Sequence, residues 1–109
     1  MPPPKKKIRI DFILSKIDRD GNEIQDGELQ KAVLEISDKY GGSTTLVGTG
    51  YWVNKEGRRA EEKIMSFYII TDQKRSVIQH DLPRFKRNLE RRLRQDEVLI
   101  TYHDVAEVT

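Results

Sequence analysis

Apolar and polar residues alternate along the first part of the chain, from Lys7 to Ile17. Successive side chains of a β-strand point to opposite faces, so this period of two predicts a strand with one buried face. The alternation returns from Thr44 to Asn54, where Thr, Val, Tyr and Trp favour a second strand. The mainly apolar run from Lys63 to Thr71 predicts a buried third strand, and Glu97 to Tyr102 predicts a fourth that extends towards Val108.

Two other segments repeat apolar residues every three or four positions, which is the period of an α-helix. In the first segment, Asp26 is predicted to cap a helix that ends near Lys39, before Gly41 and Gly42. In the second segment, Asp81 is predicted to cap the helix and Pro83 to lie in its first turn, where a missing amide hydrogen is tolerated. The apolar positions of the second helix are Leu82, Phe85, Leu89 and Leu93.

The predicted order β-α-β-β-α-β is typical of a ferredoxin-like α+β plait, a four-stranded antiparallel sheet with two helices on one face. We expect residues 1–6 to form a disordered Pro/Lys tail and residues 7–109 to form a single domain. The second face of the sheet would be bare in a monomer. Because bare apolar faces usually become interfaces, we expect a homo-oligomer, with a dimer favoured. The residues expected on this face are Ile13, Tyr51, Ile70 and Tyr102.

The composition indicates a cellular compartment and excludes several kinds of site. The 109 residues include no cysteine, so disulfides, thiolate metal sites and cysteine nucleophiles are excluded. Apolar runs reach only about four residues, against the ~20 needed to cross a bilayer, so no membrane partner is expected. Both observations favour a cytoplasmic protein.

No motif for a cofactor or a metal stands out. Residues 18–29 partly match a calcium-binding loop, but Glu23 and Leu29 occupy the positions that require glycine and a bidentate glutamate. We therefore predict a polar turn there. His80 and His103 are predicted to lie at opposite ends of the sheet, too far apart for a shared metal or hydrolytic site. We predict no catalytic residue, no metal and no cofactor.

The hairpin between residues 48 and 62 contains the candidates for a ligand site: Gly48, Gly50, Trp52 and Glu62. Glycine in a strand allows a ligand or another group to approach the backbone closely. The structural alternative is that Gly48 and Gly50 leave room for the Trp52 ring, which then packs as part of the fold. Glu62 is expected near the start of the third strand, opposite the region of Trp52 and Asn54.

The second helix contains the candidates for nucleic-acid binding, which are Arg84, Arg87, Arg91 and Arg94. The net charge of the chain is only +2, but these residues recur at i, i+3, i+7 and i+10 and form a basic stripe. Such a stripe can follow phosphate groups. A solvated basic face is the alternative, since many basic helices bind nothing.

Several short motifs together support a resemblance. They are Gly41-Gly42-Ser-Thr-Thr, Gly48-Thr-Gly50-Tyr-Trp52, Gly57, Glu62 and Gln95-Asp-Glu-Val-Leu99. The chain thus resembles a group of small uncharacterised bacterial proteins with Gly-Gly-x-Thr and Gly-x-Trp segments. The resemblance implies a ferredoxin-like domain and carries over no activity or catalytic residue. The topology is also similar to PII-like proteins, whose long nucleotide-binding loop this chain lacks.

Taken together, these features favour a non-enzymatic, self-associating ferredoxin-like binding module over an enzyme, without deciding between them. One alternative is an accessory nucleic-acid-binding protein that uses the basic second helix. The other is a small-molecule-binding or enzymatic domain that uses the hairpin of residues 48–62.

Overall fold

The computed structural model describes residues 2–109; Met1 of the predicted tail lies outside this range. One antiparallel sheet has the strand order β2-β3-β1-β4. The predicted β-α-β-β-α-β order and the ferredoxin-like α+β plait are confirmed. The elements are β1 (Lys5–Ser15), α1 (Asp26–Tyr40), β2 (Thr44–Val53), β3 (Arg59–Thr71), α2 (Arg75–Arg92) and β4 (Leu99–Glu107).

The core lies between the sheet and the two helices. Alternate residues of the central strand β1, including Ile10 and Phe12, are fully buried on the helix side. Phe12 pairs in register with Phe67 of β3, and the two rings stack with centroids 4.2 Å apart. Leu29 of α1 and Leu89 of α2 close the layer from the other side. The period of two in β1 and the period of 3.6 in the helices therefore meet in one apolar layer.

Two strands begin earlier than predicted. β1 starts at Lys5, inside the segment expected to be a disordered tail, because Lys5 and Lys6 pair with the far end of β4. Lys7 adds an ion pair of 2.9 Å to Glu107. β3 starts at Arg59, four residues before the predicted start, because the pairing with β2 continues down to a tight turn. The Asn54 side chain holds that turn by accepting two backbone N–H groups.

Helix α1 matches its prediction closely, apart from its cap. Gln25 occupies the N-cap position without a side-chain hydrogen bond, and Asp26 lies in the first turn. A carboxylate there still interacts favourably with the positive end of the helix dipole. The helix ends at Gly41, whose φ of 87° is readily accessible to glycine.

Helix α2 begins at Arg75, six residues before the predicted cap. Asp81 and Pro83 therefore lie inside the helix, contrary to the prediction. Ile78 and Leu82, one turn apart, are both buried, and this packing favours the additional turns. Pro83 is exposed, so its ring does not enter the core. The helix tolerates the loss of one hydrogen bond at Pro83.

The face of the sheet opposite the helices is open. Ile13 and Ile70 lie on it as predicted, because each alternates with buried neighbours that face the helices. The predictions for Tyr51 and Tyr102 are wrong. Tyr102 is directly opposite the buried Ile10, and its hydroxyl accepts a hydrogen bond from α2. Tyr51 alternates along β2 with Gly50 and Trp52, which face the open side, so Tyr51 points to the helix side too.

Strand β2 is an edge strand, and its hairpin with β3 lengthens the molecule to 51 × 29 × 23 Å. Every residue of β2 except Gly50 is exposed. The large apolar side chains exposed on this strand are Leu46, Val47, Tyr51, Trp52 and Val53. Within residues 2–109, neither helix is long and apolar enough to cross a membrane.

Candidate functional site

A cleft of about 340 Å³ opens on the bare face of the sheet, at the end where β1 stops. Its size lies within the range of small-molecule sites, roughly 300–1,000 Å³. Ile13, Ile64 and Leu99 form its apolar floor. The polar and aromatic side chains that surround this floor include Ser15, Asp18, Arg19, Trp52, Glu62, Gln95, Asp96 and Glu97.

The Trp52 ring forms one wall of the cleft by lying across Gly50. A Cβ atom added at Gly50 would stand 2.3 Å from Cη2 of the ring, a distance that side chains cannot tolerate. Nothing lies within 4 Å of the same position at Gly48. The expectation that glycine leaves room for the ring therefore holds for Gly50 and fails for Gly48. Trp52 remains 46% exposed, so the ring is only half packed and presents a free surface.

Glu62 faces Gly50 directly across the β2–β3 ladder, two residues from the position expected from sequence. Its carboxylate contacts the hydroxyl of Ser15. That hydroxyl also accepts the N–H of Ile17 at 3.0 Å and lies 2.8 Å from the carbonyl of Ile17. The hydroxyl has one proton, so it serves either the carbonyl or the carboxylate at any moment. Glu62 therefore keeps capacity to bind another donor or a cation.

Gln95 fixes the third side of the cleft and is not among the predicted site residues. Its side chain is buried and bonds the backbone of Ser15 twice. The amide oxygen accepts the Ser15 N–H at 3.0 Å, and the amide nitrogen donates to the Ser15 carbonyl at 2.6 Å. The side chain thus takes the place of a neighbouring strand. It ties the loop between α2 and β4 to the end of β1.

Some carboxylates of the cleft form ion pairs and one does not. Asp18 accepts the backbone N–H groups of its own turn and a bond from Arg94, and these contacts lower its pKa below the usual value. Asp96 lies 3.8 Å from Arg19, and Glu97 lies 2.9 Å from Lys86. Within residues 2–109, Glu62 is the one carboxylate of the cleft without an ion-pair partner. The cleft therefore presents a negative charge beside an aromatic ring.

The structure brings Gly50, Trp52 and Glu62 together and leaves Gly48 two residues further along the same face of β2. Ser15 and Gln95 complete the group. For Ser15, the sequence indicates only that it alternates with the buried residues of β1 and therefore points to the open face. Gln95 occurs in the Gln95-Asp-Glu-Val-Leu99 motif, but that motif assigns it no role in a site.

The four predicted nucleic-acid candidates do not form one stripe. Arg84, Arg87 and Arg91 lie on α2 and are exposed, as expected. Arg94 lies beyond the end of α2 with a φ of 54°, where the chain turns away. Its guanidinium binds Asp18 at 3.2 Å and a glutamate of α1 at 3.1 Å. Arg94 thus forms ion pairs within the fold and does not belong to the basic stripe.

The prediction that the two histidines lie at opposite ends of the sheet is wrong. Tyr102, beside His103, bonds Gln79, the neighbour of His80, so both histidines belong to the same end. His103 alternates with Tyr102 and therefore leaves β4 on the open face, while His80 is on the helix layer. The sheet separates them, and no group of three or more metal-binding side chains occurs among residues 2–109.

No protein-family model and no curated protein sequence matches this chain. The solved structures that are similar in fold include two of a phage SAM lyase. A phage SAM lyase in complex with S-methyl-5'-thioadenosine aligns with a TM-score of 0.72 and 11% identity, over 94% of this chain and 85% of that chain. A phage SAM lyase in the apo state aligns with a TM-score of 0.68 and 9% identity, over 94% and 86%. At these identities the likeness establishes the fold alone.

This comparison corrects the leading functional prediction, a non-enzymatic, self-associating binding module. That prediction took a ferredoxin-like plait without a recognisable catalytic motif as a sign of a non-enzyme. The similar structures are of an enzyme, so the premise is wrong. The alternative of a small-molecule-binding or enzymatic domain is better supported. The expected homo-oligomer and the resemblance to bacterial Gly-x-Trp proteins stay predictions.

Proposed function

We propose that this chain is an enzyme that binds a sulfonium nucleoside of the S-adenosylmethionine type in the open-face cleft and cleaves it as a lyase. The observation that carries the proposal is the unpaired Glu62 carboxylate beside the half-exposed Trp52 ring. The shared fold with a SAM lyase, solved with S-methyl-5'-thioadenosine, supplies the substrate class.

The chemistry of the cleft suits such a ligand. A sulfonium carries one positive charge on a soft, weakly hydrated atom, and a carboxylate and an aromatic face both attract it. Ile13, Ile64 and Leu99 offer apolar surface to the uncharged parts of the nucleoside. The exposed part of the Trp52 ring is available for stacking on a purine, an arrangement that other aromatic side chains use with bases.

The direction of charge change assigns a role to Glu62. Release of S-methyl-5'-thioadenosine breaks the bond between sulfur and the adjacent carbon of the amino-acid chain, and the bonding pair stays on sulfur. The sulfonium becomes a neutral thioether. Since a lyase consumes no second substrate, the departing carbon either bonds a carboxylate oxygen of its own amino-acid chain, which closes a ring, or forms a double bond as the adjacent carbon releases a proton to solvent. A fixed carboxylate stabilises the cation more than the partly neutral transition state. Glu62 is therefore assigned to substrate binding.

The test compares Glu62→Gln with Glu61→Gln. Both variants remove one negative charge from neighbouring positions, but the Glu61 side chain leaves β3 on the opposite face. Trp52 is the only tryptophan, so its fluorescence reports ligand binding in the cleft directly. Mass spectrometry of incubations with S-adenosylmethionine detects S-methyl-5'-thioadenosine as the product.

We expect Glu62→Gln to weaken binding of the sulfonium by about 10- to 100-fold, since one ion pair at ~6 Å and an effective dielectric constant of ~20 is worth at most about 3 kcal/mol. Binding of neutral S-methyl-5'-thioadenosine should change by less than about threefold, because no charge is involved. KM should rise, and kcat should stay unchanged or increase, because the lost interaction is stronger with the bound sulfonium than with the transition state. Glu61→Gln should behave as wild type.

Absence of both binding and product for the wild-type chain would refute the proposal. Equal losses for the two variants would refute the assignment of Glu62. The proposed setting for this activity is the cytoplasm, supported by the lack of cysteine.

A further inference from the structure

A basic groove lies between α1 and α2, on the helix layer and therefore on the far side of the sheet from the cleft. Its cationic lining consists of Lys39, Arg84, Arg87, Arg91 and Arg92, and its acidic lining of Glu35 and Asp81. Both acidic groups already form ion pairs within the groove. Arg92 contacts Glu35, and Lys39 lies 3.2 Å from the buried carboxylate of Asp81.

The remaining charge resides on Arg84, Arg87 and Arg91. All three are exposed, and none of their guanidinium groups has a hydrogen-bond or ion-pair partner within residues 2–109. Positions i, i+3 and i+7 fall within a sector of roughly 60° of a helix and extend over about 10 Å along its axis. A single phosphate group could not contact all three guanidiniums of this row. A ligand with several phosphate groups in sequence could contact each of them.

We propose that this groove binds the phosphodiester backbone of nucleic acid without reading its sequence. The aromatic lining of the groove supports the lack of base recognition. Phe85 is the one ring that lines the groove among the described residues. It packs edge to face on Tyr40, with centroids 6.0 Å apart, and Lys39 Nζ lies over its face, 5.2 Å from the centroid, so the ring is not free to stack on a base. The Tyr40 hydroxyl is also engaged, since it donates to Asp81 at 3.0 Å. Only the phosphate contacts remain, and these are electrostatic and depend on salt.

The experiment measures binding of fluorescent random-sequence duplex DNA between 50 and 200 mM salt. With three phosphate contacts, the log–log slope should be about −2.7, so affinity falls about 40-fold over this range. Arg87→Gln combined with Arg91→Gln leaves one contact, a slope near −0.9 and a fall of only about 3.5-fold. The apolar side chains of α2 are unchanged, so the thermal midpoint should stay at the wild-type value.

The matched control combines Lys55→Gln with Arg58→Gln. Both residues are exposed at the β2–β3 turn, so this variant loses the same net charge from a different surface. It should retain the wild-type slope. The inference is overturned if wild type does not bind duplex or single-stranded DNA at 50 mM salt, or if the control variant and the groove variant have equal slopes. An unchanged slope in the groove variant also overturns it. None of these results depends on the proposed lyase activity.

Discussion

The two strand glycines of the hairpin provide a matched pair for testing the position of Trp52. Gly50→Ala places a Cβ atom 2.3 Å from the indole ring, which must move. Gly48→Ala adds the same group on the same face of β2, where nothing lies within 4 Å. Both glycines have ordinary φ values, so neither substitution strains the backbone. The difference between the variants isolates the contact of the ring.

The size of the effect follows from the buried part of the ring. Trp52 is 46% exposed. A fully buried aromatic side chain covers about 150–250 Å², so the packed half of Trp52 covers about 100 Å². At about 25 cal/mol per Å², loss of that contact destabilises the fold by about 2.5 kcal/mol. Replacing a strand glycine with alanine also stabilises the fold by about 0.5–1 kcal/mol, because it reduces the conformational freedom of the unfolded chain. This gain offsets part of the loss. The net loss for Gly50→Ala is therefore about 1.5–2 kcal/mol.

Thermal unfolding followed by circular dichroism, with fluorescence of the single tryptophan, measures both consequences. At about 4 °C per kcal/mol for a domain of ~100 residues, Gly50→Ala should lower Tm by about 6–8 °C. Gly48→Ala should raise Tm by about 2–4 °C. Tryptophan emission should shift to longer wavelength only in Gly50→Ala, and ligand binding in the cleft should weaken with it. Equal Tm values and equal emission for the two variants would refute the reasoning.

Two further predictions concern charged residues that hold the fold together. Burial acts to raise the pKa of Asp81, but bonds from Tyr40 and Lys39 outweigh it and lower that pKa. The stability from this carboxylate is therefore complete above its unfolded pKa of about 3.9 and is lost as the pH falls through the folded value. In urea unfolding from about pH 5 to pH 2.5, Asp81→Asn should lose less stability than wild type, and an identical loss would contradict this account. Arg94→Gln should lower Tm, because it removes the ion pair to Asp18, while the salt slope of DNA binding stays at the wild-type value; a lower slope would return Arg94 to the basic stripe.

The sequence was sufficient for the order of the six elements because each element buries one side. The error at the start of α2 has a clear origin. Proline is favoured in the first turn of a helix, and this preference predicts a start at Asp81. Ile78, Leu82, Phe85 and Leu89 instead continue one helical period through Pro83. A proline that faces solvent removes one hydrogen bond, and the packing of Ile78 outweighs that loss.

The candidate site was predictable only in part. Gly50 and Trp52 share a face because they are two residues apart in a strand, and Glu62 joins them through ladder pairing. Gln95 bonds a residue 80 positions away, and such a contact depends on how the loop after α2 returns to the sheet. Arg94 failed as a prediction for the same reason. A helical period places it on the stripe, but the helix ends first.

The position of Trp52 on an edge strand affects how the cleft opens and closes. β2 is bonded to β3 on one side only, whereas the central strand β1 is bonded on both sides. Local opening of an exposed edge requires much less free energy than global unfolding, so β2 amides should exchange hydrogen for deuterium well before those of β1. The aromatic wall of the cleft can thus detach while the core stays intact. The affinity of any occupant then includes the free energy of holding that strand in place.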